Sequence, residues 1–246
     1  MAPVAAALTK VLITGFGPFY GVTNNPSWAI ASRLPATLDN NIQLIVYPAE
    51  VPVAYHPVAS IIPALIAEHQ PDVALHIGVA EGRSYFAVEQ SSTRRSYEFV
   101  QDIYGEVFTL EEQAKAWGDA EAVLQTDLDL NVIVDGWQNG TLHMKWPFNI
   151  GGRSTSAGQP VEVVLKEDIM ETEDVRWSDN VGNYLCGFMY YMDLVEMGRS
   201  GAYKKRDVAF MHVPLLKTEE EFQFGVEVTV ALIQAMVDDW RAKGRV

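Results

Sequence analysis

Residues 11–27, VLITGFGPFYGVTNNPS, contain in succession a predicted strand, a glycine-rich turn and the beginning of a helix. Residues 11–14 form a short apolar run rich in β-branched side chains, and this run ends at Gly15. Asn25 is a suitable N-cap, and Pro26 is favoured at the first position of a helix. The order strand, turn, helix predicts the first unit of an α/β fold.

The alternation of strands and helices continues outward from this stretch. Residues 72–78 are almost continuously apolar, which is typical of a strand buried on both faces of a parallel sheet. We therefore predict a three-layer α/β/α sandwich with a mostly parallel central sheet, formed by residues 1–246 as one domain. Further strands are predicted at 42–46 and 207–213 with an edge strand at 161–165, and helices at 55–69, at 182–197 and after a capping box at 218–221.

Residues 93–173 show no sustained helical or strand periodicity and are interpreted as an irregular, insertion-like region. They mix glycine, acidic and aromatic residues, and residues 137–152 have the most insertion-like composition.

The composition limits the classes of function. The 246 residues include 18 Lys and Arg against 32 Asp and Glu, giving a formal net charge of −14, and 48% of the residues are hydrophobic. Such a chain can bury a core, but its acidity argues against general binding to nucleic acid or to an anionic membrane. The N-terminus lacks the pattern of a signal peptide, and no uncharged apolar run could span a bilayer. With a single cysteine, we expect a cytoplasmic protein.

The turn at residues 15–21 allows three interpretations. It follows a strand, where dinucleotide-binding folds place their phosphate loop, and Glu50 could then bind a ribose. Its spacing is GxGxxxG, however, and bulky residues fill the positions where backbone must approach a pyrophosphate. The turn could instead be structural, or Phe16 and Phe19 could line an apolar pocket at the carboxyl edge of the sheet.

Metal and serine chemistry are not indicated. No two histidines have a recognised ligand spacing, and one cysteine cannot form a thiolate site. Ser200 is not in a GxSxG motif. We expect no metal and no cofactor. The five histidines are His56, His69, His76, His143 and His212.

Cys186 is the strongest candidate for catalysis, although a free cysteine is also commonly buried and inert. It falls in the first turn of a predicted helix, where the helix dipole would lower the pKa of the thiol. His212 lies at the end of the following strand and could accept its proton. Glu89 could orient the imidazole, or it could be a solvated glutamate on an edge strand.

Four segments carry a specific pattern in order: residues 11–19 followed by 25–27, residues 78–83 followed by Glu89, residues 182–186, and residues 210–214. Together they resemble pyroglutamyl peptidase type I, a family of cysteine peptidases that remove an N-terminal pyroglutamate.

The resemblance implies the fold predicted above and a set of roles. Cys186 is expected to be the nucleophile, His212 the general base and then acid, and Glu89 the residue that orients the imidazole. The substrate partner would be a peptide beginning with pyroglutamate. The residues expected around its lactam ring are Phe16, Phe19, Tyr184, Asn25 and Val79.

The chain departs from the family pattern at several positions. Gln90 stands where many members have arginine, Gly187 where asparagine is common, and Val79 where bacterial members have glutamine. The segment between Glu89 and Cys186 is also longer than usual. These departures leave open a binding module of the same fold that does not turn over its ligand.

Overall fold

The structure is a computed structural model that describes residues 7–146 and 170–245. The strands are β1 (Thr9–Gly15), β2 (Thr37–Leu38), β3 (Ile42–Val46), β4 (Val73–Val79), β5 (Phe86–Glu89), β6 (Ser91–Thr93), β7 (Val123–Gln125), β8 (Val175–Ser178) and β9 (Val208–Val213). The helices are α1 (Pro26–Ala31), α2 (Tyr55–His69), α3 (Leu110–Trp117), α4 (Leu130–Thr141), α5 (Leu185–Ser200) and α6 (Glu219–Ala242), with a short 3-10 helix at Thr172–Asp174.

Within these two ranges, seven strands form the central sheet, in the order β2-β3-β1-β4-β9-β5-β8, while β6 and β7 pair separately. The four central strands β3, β1, β4 and β9 are parallel. β5 runs antiparallel to β9, and β8 is parallel to β5. The prediction of a mostly parallel sheet is therefore confirmed, with a reversed edge that the sequence did not indicate.

Helices cover both faces of this sheet, which confirms the α/β/α architecture. Side chains alternate along β1: Val11 and Ile13 face one hydrophobic cluster, and Leu12 faces the other. The first cluster includes residues of α1, α4 and α6, and the second includes residues of α2 and α5. Both faces of the central strands are thus buried, as their continuous apolar sequences predict.

Most of the predicted elements are present. α2 has the predicted bounds, and the capping box of Thr218 and Glu221 begins α6. The helix predicted at 182–197 begins later, at Leu185, because Gly182 has a φ of +81° and Tyr184 is extended. These residues form a turn that delivers the chain into the helix.

The segment at 93–173 is more regular than predicted. It contains α3 and α4, whose Trp117 and Trp137 are fully buried. A capping box of Thr109 and Glu112 begins α3, and this sequence signal could have located the helix. The predicted strand at 161–165 and the second part of the stretch at 137–152 lie outside the described residues.

Among residues 7–146 and 170–245, no helix has both the length and the apolar character needed to cross a lipid bilayer.

Candidate active site

The amide groups of the glycine-rich turn after β1 are hydrogen-bonded within the protein. The Phe16 amide donates to the Ser27 hydroxyl at 3.0 Å, and the Gly17 amide donates to the Val51 carbonyl at 2.9 Å. The Phe19 amide bonds to the Val22 carbonyl. These are the donors that a phosphate would need, so the geometry disfavours the dinucleotide interpretation.

Asn25 holds this turn against the start of α1. Its Nδ2 donates to the Gly17 carbonyl at 2.8 Å, and its Oδ1 accepts from the amide and the hydroxyl of Ser27. Both polar atoms are occupied and the side chain is buried. Asn25 therefore shapes the turn that carries Phe16 and Phe19.

His212 and Glu89 are brought together by the reversed strand β5. Glu89 pairs with Phe210 across the antiparallel ladder, so His212, two residues further along β9, is its diagonal neighbour on the same face. The imidazole Nδ1 lies 2.7 Å from the Glu89 Oε1 atom. His212 is 4% exposed and Glu89 is not exposed at all.

The carboxylate of Glu89 is fully partnered. Its Oε1 also accepts from the Arg83 guanidinium at 2.6 Å, and its Oε2 accepts from the Asn180 amide at 3.1 Å. β5 lies between β9 and β8, inside the sheet. The alternative of a solvated glutamate on an edge strand is wrong, because the antiparallel pairing buries this acid.

Cys186 is the second residue of α5 and is partly exposed. A Cβ atom placed on Gly78 would lie 2.9 Å from its Sγ atom, so the sulfur sits directly over β4 at that glycine. Gly78 is paired with His212 in the neighbouring strand. Because adjacent strands are about 4.8 Å apart, the thiol over Gly78 and the imidazole of His212 occupy neighbouring positions at the carboxyl edge of the sheet.

Burial raises the pKa of the Cys186 thiol to about 12, and the negative charge of Glu89 acts in the same direction. The nearby Arg83 and the residue's own amide lower this pKa, but by less. The prediction that the helix start lowers the thiol pKa is therefore wrong. Desolvation between the sheet and α5 outweighs the favourable bond from the residue's own amide.

The pKa values of His212 and Glu89 are both lowered from their usual values. Burial lowers the pKa of His212, and the bond to Glu89 only partly offsets this effect. Burial alone would raise the pKa of Glu89, but hydrogen bonds, first from His212, more than compensate. The site at rest therefore combines a neutral imidazole with an ionised carboxylate.

Aromatic side chains surround this end of the sheet. Phe16 is buried, whereas Phe19 and Tyr184 are half-buried. Tyr184 precedes α5 and contacts Tyr55 edge to face, with ring centroids 6.4 Å apart. In the described part of the chain, the hydroxyls of Tyr55 and Tyr184 are buried without a hydrogen-bond partner. Val79 follows Gly78 at the end of β4.

Sequence reasoning missed Tyr55 and gave no role to Arg83. Tyr55 begins α2, far from the motifs in sequence, and only packing brings its ring to Tyr184. Arg83 lies inside one of the quoted motifs, and its spacing from Glu89 was the available signal.

The structure explains one departure from the family pattern. A Cβ atom on Gly187 would lie 2.2 Å from the backbone oxygen of Gly182 and 3.1 Å from the Tyr97 hydroxyl. The turn before α5 thus requires glycine where asparagine is common. Gln90 uses its backbone amide to bond to the Ser178 carbonyl at 2.7 Å.

Within the described ranges, no group of three or more His, Cys, Asp or Glu side chains is placed to hold a metal ion.

A single cysteine at a helix start and a buried histidine–glutamate pair lie at the same carboxyl edge of an α/β/α sandwich, an arrangement suited to the chemistry of a cysteine peptidase.

Comparison with known proteins finds similar sequences among the pyroglutamyl peptidases. A sequence model of the pyroglutamyl peptidases matches residues 9–116. Human pyroglutamyl-peptidase 1 is 29% identical over 231 residues, which are 93% of this chain and 90% of the human protein. The chain is thus similar in sequence to pyroglutamyl peptidases along most of its length.

Solved structures show the same fold. A mutant pyrrolidone carboxyl peptidase from Pyrococcus furiosus gives a TM-score of 0.69 at 20% identity, covering 94% of this chain and 100% of that one. The pyroglutamyl peptidase I of Bacillus amyloliquefaciens gives 0.67 at 21% identity, covering 95% and 96%.

Proposed function

We propose that this protein hydrolyses the peptide bond that follows an N-terminal pyroglutamate. The observation that carries the proposal is the 2.7 Å contact of His212 with the buried Glu89, beside the only cysteine of the chain. The names of the relatives supply the substrate class. A reducing, cytoplasmic compartment suits an enzyme that depends on one free thiol.

Cys186 is the nucleophile in this proposal, and His212 is first the base and then the acid. Because Nδ1 of the imidazole faces Glu89, Nε2 is the nitrogen left to accept the thiol proton. The sulfur attacks the pyroglutamyl carbonyl, and the resulting tetrahedral oxyanion collapses. The peptide amine leaves with the proton from His212, and water then hydrolyses the thioester.

The neutral resting state determines when the proton moves. The thiol pKa of about 12 lies far above the lowered pKa of the imidazole, so a resting thiolate–imidazolium pair is disfavoured. Proton transfer therefore accompanies attack on the bound substrate, and Glu89 stabilises the imidazolium as it forms.

The start of α5 supplies donors for the oxyanion. The N-cap residue Tyr184 makes no side-chain cap to the first turn. The amides of this turn, including that of Cys186, point toward the reacting carbonyl in the proposed complex.

The lactam ring of the substrate is flat, uncharged and suited to aromatic surroundings. We assign its pocket to Phe16, Phe19, Tyr184 and Val79, with Asn25 acting through the turn that it holds.

The test is release of a fluorophore from a pyroglutamyl amide by the purified protein in reducing buffer. Cys186→Ala should abolish turnover and change the melting temperature little, because the residue is partly exposed. Ser200→Ala, at the exposed far end of the same helix, is the matched control and should retain full activity.

Two outcomes would contradict the proposal. One is no turnover by wild-type protein with an intact thiol. Retention of pyroglutamyl-peptide binding in that case would support the binding module instead. The other is a large loss of stability in Cys186→Ala, which would indicate a structural cysteine.

A further inference from the structure

We propose that Arg83 is a positioning residue for the reaction: it fixes the carboxylate of Glu89, which in turn holds the imidazole of His212 in place to take the thiol proton. This inference rests on the function proposed above and adds a fourth member to the Cys186, His212 and Glu89 set.

Arg83 reaches the site from the turn between β4 and β5. One guanidinium nitrogen donates to Glu89 Oε1 at 2.6 Å, the same oxygen that bonds to the His212 imidazole. A second nitrogen donates to the Asn180 carbonyl at 2.7 Å. Only 15% of the side chain is exposed, and the guanidinium carbon lies 5.6 Å from the centre of the Tyr85 ring.

The two bonds of Arg83 connect separate parts of the site. Asn180 precedes α5, and its amide donates to the other carboxylate oxygen of Glu89. The guanidinium therefore links the turn before α5, which leads to Cys186, with the carboxylate of Glu89, which is hydrogen-bonded to His212. A planar donor fork suits this bridge better than a single ammonium group.

The shared oxygen has an electrostatic consequence. A buried carboxylate next to an imidazole favours the imidazolium, which cannot accept a proton. Arg83 neutralises part of that negative charge and adds a positive charge near both reacting groups. It acts to lower the pKa of His212 and that of Cys186.

The charged groups that act on this pair are few in the described part of the chain. Glu89 from β5 and Arg83 from the turn act on both the imidazole and the thiol. Tyr190 from α5 donates its hydroxyl to the backbone oxygen of Glu89. Arg83 is thus the cation that opposes Glu89.

Removal of the positive charge of Arg83 should raise the pKa of the His212 imidazole and that of the Cys186 thiol. Arg83→Gln keeps a hydrogen-bond donor for Glu89 and Arg83→Met removes it, so the two neutral variants differ in hydrogen bonding. In both variants, the apparent pKa on the acid side of the kcat/KM profile should rise by about one unit. Iodoacetamide alkylation of the only cysteine should slow by about tenfold at pH 8.

Two further variants separate charge from packing. Arg83→Lys keeps the charge and should hold the acid limb at its wild-type position, with a lower kcat because one arm of the bridge is lost. Arg176→Met is the matched control: Arg176 lies 3.6 Å from the same Tyr85 ring and is not bonded to Glu89. It should leave both titrations unchanged.

An acid limb that stays in place or moves to lower pH in the neutral variants would overturn the inference. A shift in Arg83→Lys equal to that of Arg83→Gln would do so as well. Titration of the His212 imidazole by NMR and the alkylation rate need no substrate. They therefore test Arg83 even if the protein does not cleave pyroglutamyl peptides.

Discussion

At the residue scale, Cys186 illustrates the competition between a helix start and burial. A helix dipole contributes at most about 2 kcal/mol to a charge at its end, whereas desolvation of a buried group can shift a pKa by several units. The sulfur lies over Gly78 and close to the buried Phe210 ring. Desolvation therefore decides its resting state, and the thiol needs a neutral base nearby.

Gly187 gives a stability prediction at the same scale. Replacing it with Ala should lower the free energy of unfolding by about 2–3 kcal/mol, because the new methyl group would collide with the Gly182 backbone oxygen. Urea unfolding measures the change. Gly82→Ala is the matched control, since nothing lies within 4 Å of its added Cβ atom. Equal stabilities for the two variants would contradict the steric explanation.

At the scale of elements, α5 is attached to the sheet below Cys186 by a buried polar contact. The His76 Nε2 on β4 lies 2.5 Å from Asp193 Oδ2 on α5, two helical turns beyond Cys186. The Thr14 hydroxyl lies 2.7 Å from the other ring nitrogen, and none of these side chains is exposed. This contact fixes how the cysteine-bearing helix lies on β4.

Asp193→Ala should therefore lower the free energy of unfolding by about 1–3 kcal/mol, the usual cost of leaving a buried polar group without its hydrogen-bond partner. Chemical denaturation at neutral pH measures it, and kcat should fall as the helix loses its anchor. Glu196→Gln on the same helix is only half-buried and should cost less than about 1 kcal/mol. Similar losses in both variants would argue against a specific role of the pair.

At the scale of the whole molecule, the net charge of −14 imposes self-repulsion on a compact fold. Exposed pairs such as Arg33 with Glu219 contribute little against it. Raising the salt concentration shortens the screening length from about 30 Å at 0.01 M to about 8 Å at 0.15 M.

The melting temperature should therefore rise by a few degrees between 10 and 150 mM NaCl, as calorimetry at pH 7 would measure. KCl should give the same rise, because screening does not depend on the identity of the cation. A melting temperature that falls with salt would show that attractive pairs outweigh the repulsion.

Much of the fold and site could be predicted because the signals are local. Periodicity located α2, capping residues located α1 and α6, and the order of motifs singled out Cys186, His212 and Glu89. The helices at 110–117 and 130–141 are short segments within a polar region, and their apolar faces are recognisable only once Trp117 and Trp137 are seen in the core.

The sequence by itself determined which residue types carry the chemistry and where strands and helices alternate, since these follow from side-chain identity and period along one chain. Only the tertiary structure decided that β5 runs backwards beside β9, that Glu89 is buried, and that Arg83 shares its oxygen with His212. Strand direction, desolvation and the pKa values that follow from it depend on neighbours distant in sequence. These properties therefore cannot be predicted from any local pattern in the sequence.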